Sequence, residues 1–170
     1  MKQLLFILFF SSTFYASVQA ETEQDIDFSL NQSGIIQTVK VNVGDRVKKG
    51  QLLLQLNRHA IQAQIQADQA RIKATEAIWQ EANKEKKRNQ ALREQNLIAV
   101  HEYEISEQKQ LLAQADYQQA KAQLVQHQQQ KREHQIIAPF AGTVTAVKAH
   151  QGQAINTTCQ QIPLITLVKD

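Results

Sequence analysis

The chain has 170 residues, with 19 Lys and Arg against 16 Asp and Glu, a formal net charge of +3, and 42% hydrophobic residues. So even a balance argues against a nucleic-acid partner, which needs a concentrated basic face, and the one tight basic cluster, Lys84, Lys86, Lys87 and Arg88, reads as a solvated helix face. With 1 Cys there is no internal disulfide framework, and a chain of this length builds one small β core.

Met1-Lys2-Gln3 opens the chain, the apolar run Leu4 to Phe10 follows, and Ser17-Val18-Gln19-Ala20 precedes the acidic Glu21-Thr22-Glu23. One positive charge, a short apolar core and small residues at the −3 and −1 positions predict a secretory signal peptide over residues 1–20, cut after Ala20. The apolar run is shorter than the ~20 residues of a spanning helix, and no Cys lies near the cut to carry a lipid. In an oxidising compartment Cys159 is either buried and inert or able to cross-link two chains.

After a lead-in over residues 21–32, a β-type segment occupies residues 33–56. Thr38 to Val43 alternates apolar and polar residues, a turn falls at Gly44-Asp45, and Gly50 precedes the apolar run Leu52-Leu53-Leu54-Gln55-Leu56. The segment 136–170 resumes this character through Pro139, Gly142-Thr143-Val144, a turn at Gly152 and Leu164 to Val168. The two segments repeat each other 108 residues apart: Gly34 with Gly142, Ile36 with Val144, Val39 with Val147, Gly44 with Gly152, Val47 with Ile155, Leu54 with Ile162 and Leu56 with Leu164. Gly34, Gly44, Gly50, Gly142 and Gly152, together with Pro139, are expected at turns, where φ > 0 carries no Cβ penalty for glycine. Each half leaves an apolar face bare, so the two are expected to pack face to face as one small β-sandwich or flattened barrel.

Residues 57–135 separate the halves. No Gly or Pro occurs between Gly50 and Pro139, and good helix formers dominate. A cluster without helical spacing, Asn96 to Val100, predicts a tip there and a pair of antiparallel helices, each roughly 50–55 Å long. Ile61, Ile65, Ile72 and Trp79 on the first helix, and Ile105, Leu112, Ala115 and Ala122 on the second, are the candidate seam. Asp68 with Arg71 and Glu81 with Lys84 are expected as pairs along the first helix. The five histidines lack the spacing of a metal site, and no nucleophile–base set, catalytic carboxylate pair or phosphate loop is present, so no metal, no cofactor and no catalysis are expected.

Ser33-Gly34-Ile35-Ile36, Gly44-Asp45-Arg46-Val47-Lys48-Lys49-Gly50-Gln51-Leu52-Leu53, a helical insert and Ile137-Ala138-Pro139-Phe140-Ala141-Gly142-Thr143-Val144 together resemble the periplasmic adaptors, or membrane fusion proteins, of tripartite efflux pumps, of the RND and HlyD-like kind. The resemblance covers roughly Gly34 to Val168. It implies an α+β fold in which a lipoyl-like barrel-sandwich hybrid is interrupted by a long coiled-coil hairpin. It implies a periplasmic protein of a Gram-negative cell, held at the inner membrane through its partners and working as a homo-oligomer. Those partners are an inner-membrane transporter and an outer-membrane channel, the channel meeting the hairpin tip. The family's tip pattern is an Arg, a Leu four residues on and a Ser seven beyond. Arg88 and Leu92 match it and Ile98 keeps the aliphatic character, but Ala99 stands where the Ser belongs. Ser there, with Glu102 three residues on, would form a capping box.

Relatives of this kind continue into a β-barrel and a membrane-proximal domain that grip the transporter, whereas this sequence stops at Asp170. A minimal adaptor, a truncated one, or one whose transporter contact comes from another subunit all fit. Two other functions share parts of the pattern. A lipoyl or biotinyl carrier would need its modified Lys in a tight hairpin between the halves, where the helical insert stands instead. A spacer or regulator would pair with a full-length adaptor without transporting anything.

Overall fold

The structure, a computed structural model, describes residues 24–157 and 162–170. The signal peptide expected over residues 1–20 and Cys159 lie outside the described residues. The elements run β1 (Asp25–Phe28), β2 (Gly34–Val39), β3 (Arg46–Val47), β4 (Leu52–Leu56), α1 (His59–Glu94), α2 (Val100–Glu133), β5 (Gln135–Ile137), β6 (Gly142–Val147), β7 (Ala154–Ile155) and β8 (Ile165–Lys169).

Eight short strands form two four-stranded sheets, ordered β1-β8-β6-β3 and β5-β4-β2-β7. Exchanging β1 to β4 for β5 to β8 turns one order into the other, so each sheet is built from strands of both halves. All pairings are antiparallel. Neither half can bury its aliphatic face alone, and between the sheets Ile36, Leu53, Leu54, Leu56, Val144, Ile165 and Leu167 are buried at 1% exposure or less. Equivalent bonds close the two halves on each other: the Gly44 N–H donates to the Val144 carbonyl at 2.8 Å, and the Gly152 N–H donates to the Ile36 carbonyl at 2.9 Å.

Three turns have the left-handed backbone that favours glycine, at Gly44 (φ +93°), Gly50 (φ +86°) and Gly152 (φ +81°). Gly34 and Gly142 do not stand at turns: they open strands β2 and β6. Their constraint is space. A Cβ on Gly142 would run into the backbone carbonyl of Val168 on the neighbouring strand, while one on Gly34 would meet only the Leu56 side chain, at 3.3 Å. Pro139 lies in the bend between β5 and β6.

The repeat itself is longer and less regular than its glycines suggest. It begins upstream of Gly34, because β1 pairs with β8 (Phe28 opposite Ile165) as β5 pairs with β4 (Ile136 opposite Leu54). The pairings Leu54 with Ile162 and Leu56 with Leu164 do not hold. Val39 faces Leu54 and Val147 faces Ile165, so the second half slips by three residues before β8. Ile162 is accordingly 59% exposed where Leu54 is fully buried. The three extra residues fall in the β7–β8 connection.

α1 has 36 residues and α2 has 34, uninterrupted because nothing in them breaks the helical hydrogen-bond ladder. Contacts between residues 68 and 127, 79 and 117, and 86 and 107 make the pair antiparallel. Gly142→Ala is expected to lower the denaturation midpoint of the β module by the equivalent of about 1–3 kcal/mol, the cost of an overpacked site. Gly34→Ala should cost less, since a side chain can yield where a backbone carbonyl cannot; urea titration of both variants measures the difference.

Candidate docking surface on the helix pair

Residues facing the partner helix recur at alternating intervals of three and four on both helices, the spacing that keeps one stripe inward. On α1 the stripe is Ile61, Ile65, Asp68, Ile72, Thr75 and Trp79; on α2 it is Ser106, Gln110, Ala113, Tyr117, Ala120 and Leu124, all buried or half-buried. The α1 stripe contains the four apolar residues expected. The α2 stripe does not: Ile105 is 40% exposed, Leu112 is 61% exposed, and Ala115 and Ala122 are exposed. α1 supplies much of the bulk, so α2 faces it mostly with small and polar groups beside Tyr117 and Leu124, while its other aliphatics Leu111, Leu112 and Val125 point outward. Trp79 stacks on Tyr117 with ring centroids 5.5 Å apart and planes 8° apart, and Lys121 lies 5.2 Å over the Tyr117 ring.

Glu81 and Lys84 pair at 3.6 Å along α1. Asp68 instead bonds across the seam, with Oδ2 2.5 Å from His127 Nδ1, and not to Arg71. Burial decides this: Asp68 is 8% exposed and needs an internal partner, which a solvent-facing Arg71 does not provide.

Toward the tip the helices are tied by charge. Lys86 Nζ lies 2.8 Å from Glu107 Oε1, Lys109 Nζ lies 3.6 Å from Glu85, and Arg93 sits 4.7 Å over the Tyr103 ring. The hydrogen bond from Lys86 holds the Glu107 carboxyl below its ordinary value, and the same bond raises Lys86.

The connection spans residues 95–99. Asn96 has φ +58°, its N–H donates to the Arg93 carbonyl at 2.9 Å, and the Leu97 N–H donates to the Leu92 carbonyl at 2.8 Å. These two bonds close the end of α1 in a Schellman motif, with Asn in the place that usually takes Gly. Ala99 is the N-cap of α2, extended at φ −68° and ψ 149°, with no side-chain cap; Glu102 stands at the third helical position. The Glu102 N–H reaches the Ala99 carbonyl at 3.1 Å.

Arg88 is exposed on α1, about 9 Å of helix rise below its end. Leu92 and Ile98 are half-buried and Ala99 is exposed. The last three are gathered at the connection, with Arg88 set back from it. Two apolar residues of the tip join them that the sequence pattern does not single out as contacts: Leu97 is 65% exposed and Val100 is 60% exposed. The available signal is their place in an apolar cluster lacking helical spacing, which leaves no inward stripe to hold them. Among the described residues no group of three or more His, Cys, Asp or Glu is gathered as a metal would require, and no helix is long and apolar enough to cross a membrane.

Residues 29–164 match the family described as the CzcB-like, barrel-sandwich hybrid domain. The chain belongs to that family. Its similarity to the macrolide export protein MacA of Escherichia coli O157:H7 is 27% identity over 169 residues, covering 91% of this chain and 45% of MacA. The chain thus spans about half the length of the curated relatives it matches. Among solved structures, a MacA–MexA chimera carrying the α-hairpin domain of Pseudomonas aeruginosa MexA superposes at TM-score 0.64 with 25% identity, over 86% of this chain and 48% of the chimera. The membrane fusion protein Spr0693 of Streptococcus pneumoniae R6 shares the fold at TM-score 0.66 and 21% identity, over 86% and 58% of the two chains. This barrel-sandwich hybrid protein is therefore a member of the periplasmic adaptor, or membrane fusion protein, family.

Ala99→Ser is expected to raise the stability of the helix pair by about 0.5–2 kcal/mol, since a hydroxyl at the N-cap can accept the Glu102 N–H; helical melting by circular dichroism reads the change. Glu107 should make that stability acid-sensitive. Its folded value lies below the ordinary 4.5, so its contribution is complete above 4.5 and is lost as pH falls through the lowered value. Glu107→Gln should therefore lower the melting temperature at pH 7 and shrink the drop on moving from pH 7 to pH 3.

Proposed function

We propose that the protein is a non-catalytic periplasmic adaptor of an efflux or secretion system, exported by cleavage after Ala20. It links an inner-membrane transporter to an outer-membrane channel. The helix pair serves as a coiled-coil hairpin that carries the contact end away from the β module. The observation that carries this reading is the exposed apolar tip, with Leu97 and Val100 60% or more exposed at the far end of the longest elements in the fold. Isolated surface aliphatics are ordinary, but two at the end of an arm beside half-buried Leu92 and Ile98 make a contact face. Arg88 adds charge behind that face, and Ala99 leaves its turn uncapped. MacA, to which the chain is similar, is an export protein.

The flanks of the hairpin support a homo-oligomer. On one flank a groove is lined by the exposed aliphatics Ile78 and Leu112 together with Glu81, Glu85, Lys109 and Asp116. Leu111 and Val125, 57% and 60% exposed, lie four turns apart on the other flank. Side-by-side copies would bring unlike flanks together, a head-to-tail arrangement able to close into a ring. The spacer reading gains nothing from the relatives.

Deleting the gene should sensitise cells to exported compounds, and supplying the protein with Leu92→Asp and Ile98→Asp should fail to restore resistance although it accumulates normally. Full restoration by that variant would contradict the tip contact. Unchanged sensitivity on deletion, with the other components expressed, would favour a spacer.

A further inference from the structure

The connection at the tip joins two helices whose inward stripes are in phase. On α1 a seven-residue series runs through Asp68, Thr75, Ala82 and Asn89, and on α2 Tyr103, Gln110 and Tyr117 continue it at the same interval, all buried or half-buried. The member between them is Asn96, exposed in the connection. A hairpin has no need of this agreement, because a turn can join two helices in any phase, whereas a single helix does need it. The companion series shifts by one residue, from Trp79 and Lys86 on α1 to Ser106 and Ala113 on α2, so the facing direction turns by roughly 50° across the joint. Carried forward, the α1 companion series reaches Val100; carried back, the α2 one reaches Leu92.

The turn itself is easily given up. Its closing bonds, from the Asn96 N–H to the Arg93 carbonyl and from the Leu97 N–H to the Leu92 carbonyl, have helical bonds to replace them. Asn96 would leave the left-handed region, at φ +58°. Ala99 offers no side-chain cap, so a helix running through the joint would supply carbonyl partners to the first N–H groups of α2. We propose that two copies of the chain exchange their second halves through this joint. Residues 59–133 then form one helix roughly 110 Å long. α1 of each copy lies against α2 of the other, and each β module takes β1 to β4 from one chain and β5 to β8 from its partner. The seam and core contacts are kept, now between chains, and only the connection changes, which is what makes such an exchange cheap. The pairing of 68 with 127, 79 with 117 and 86 with 107 converges on residues 97–98, so the two connections cross there. Leu92 and Val100, on the extended stripes, face the partner chain, and the dimer has no free tip. Closing on itself is intramolecular, so the hairpin prevails in dilute solution and the exchanged dimer where chains fold close together.

Refolding the full chain with Cys159→Ser from urea, over a range of protein concentrations, with light scattering to weigh the products, tests this. Asn96 is exposed, so replacing it leaves the packing alone. Asn96→Ala favours a continuous helix and Asn96→Gly the left-handed turn, so dimerisation should strengthen by at least about tenfold in the first and weaken by at least about tenfold in the second. Lys86→Cys with Glu107→Cys, joined by a short bismaleimide, reports which chain supplies each helix. In the Asn96→Ala dimer that link should join two chains. A link within one chain would make it a dimer of intact hairpins and overturn the exchange. An Asn96→Ala protein that stays monomeric at every concentration, or that dimerises no more than Asn96→Gly, would overturn it equally.

Discussion

Strand β4 hands the chain to α1 and strand β5 takes it back from α2, and these two strands are hydrogen-bonded neighbours, Leu54 opposite Ile136 and Gln55 opposite Gln135. That pairing fixes both roots of the helix pair in one place. Two long helices so anchored have to run side by side in opposite directions, whatever their own affinity. The pairing in turn depends on the exchange of strands between the halves, since β4 also holds β2, and β2 holds β7 of the other half. The aliphatics on those strands, Ile36 and Leu54 among them, supply the burial that keeps the exchange in place.

Tethering at the root relaxes what the seam must do. A free coiled coil needs a mostly apolar stripe, yet here Asp68, Ser106 and Gln110 are buried between the helices at 8%, 1% and 8% exposure. A buried carboxylate loses much by being unpaired, so the Asp68–His127 contact favours one alignment of the helices over its neighbours. The stacked Trp79 and Tyr117, and the Lys86–Glu107 pair beyond them, repeat that selection farther out. The seam therefore contributes alignment more than adhesion, and places the residues of the tip at a defined end of the arm.

Much of this is readable in the chain. The absence of helix breakers between Gly50 and Pro139 foretells both helices, and the spacing of Gly44 and Gly152 reveals the duplicated turns, since only the backbone conformation of those turns singles out glycine. Gly34 and Gly142 share that spacing for another reason, the closeness of a neighbouring strand, which composition does not distinguish from a turn. The slip before β8 is hidden because Ile162-Pro163-Leu164-Ile165 is apolar throughout and accepts either register by pattern alone. The α2 seam differs from its expected residues because α2 carries competing seven-residue series, Ile105–Leu112 and Ala115–Ala122 against Ser106–Ala113–Ala120 and Gln110–Tyr117–Leu124. Which series turns inward depends on the bulk presented by α1. Long-range polar links such as Asp68–His127 and Arg58–Gln135 leave no local trace at all.

The central claim is that the exposed apolar end of the helix pair is the contact surface for an outer-membrane partner. A photo-crosslinking amino acid at Leu97, in the protein expressed from its own locus in living cells, tests it most directly, with the same probe at exposed Gln119 halfway along α2 as the reference. The account predicts an adduct with an outer-membrane channel protein from position 97 and none with that protein from position 119. A channel adduct from 119 but not from 97, or none from 97 while the channel is present, would contradict it.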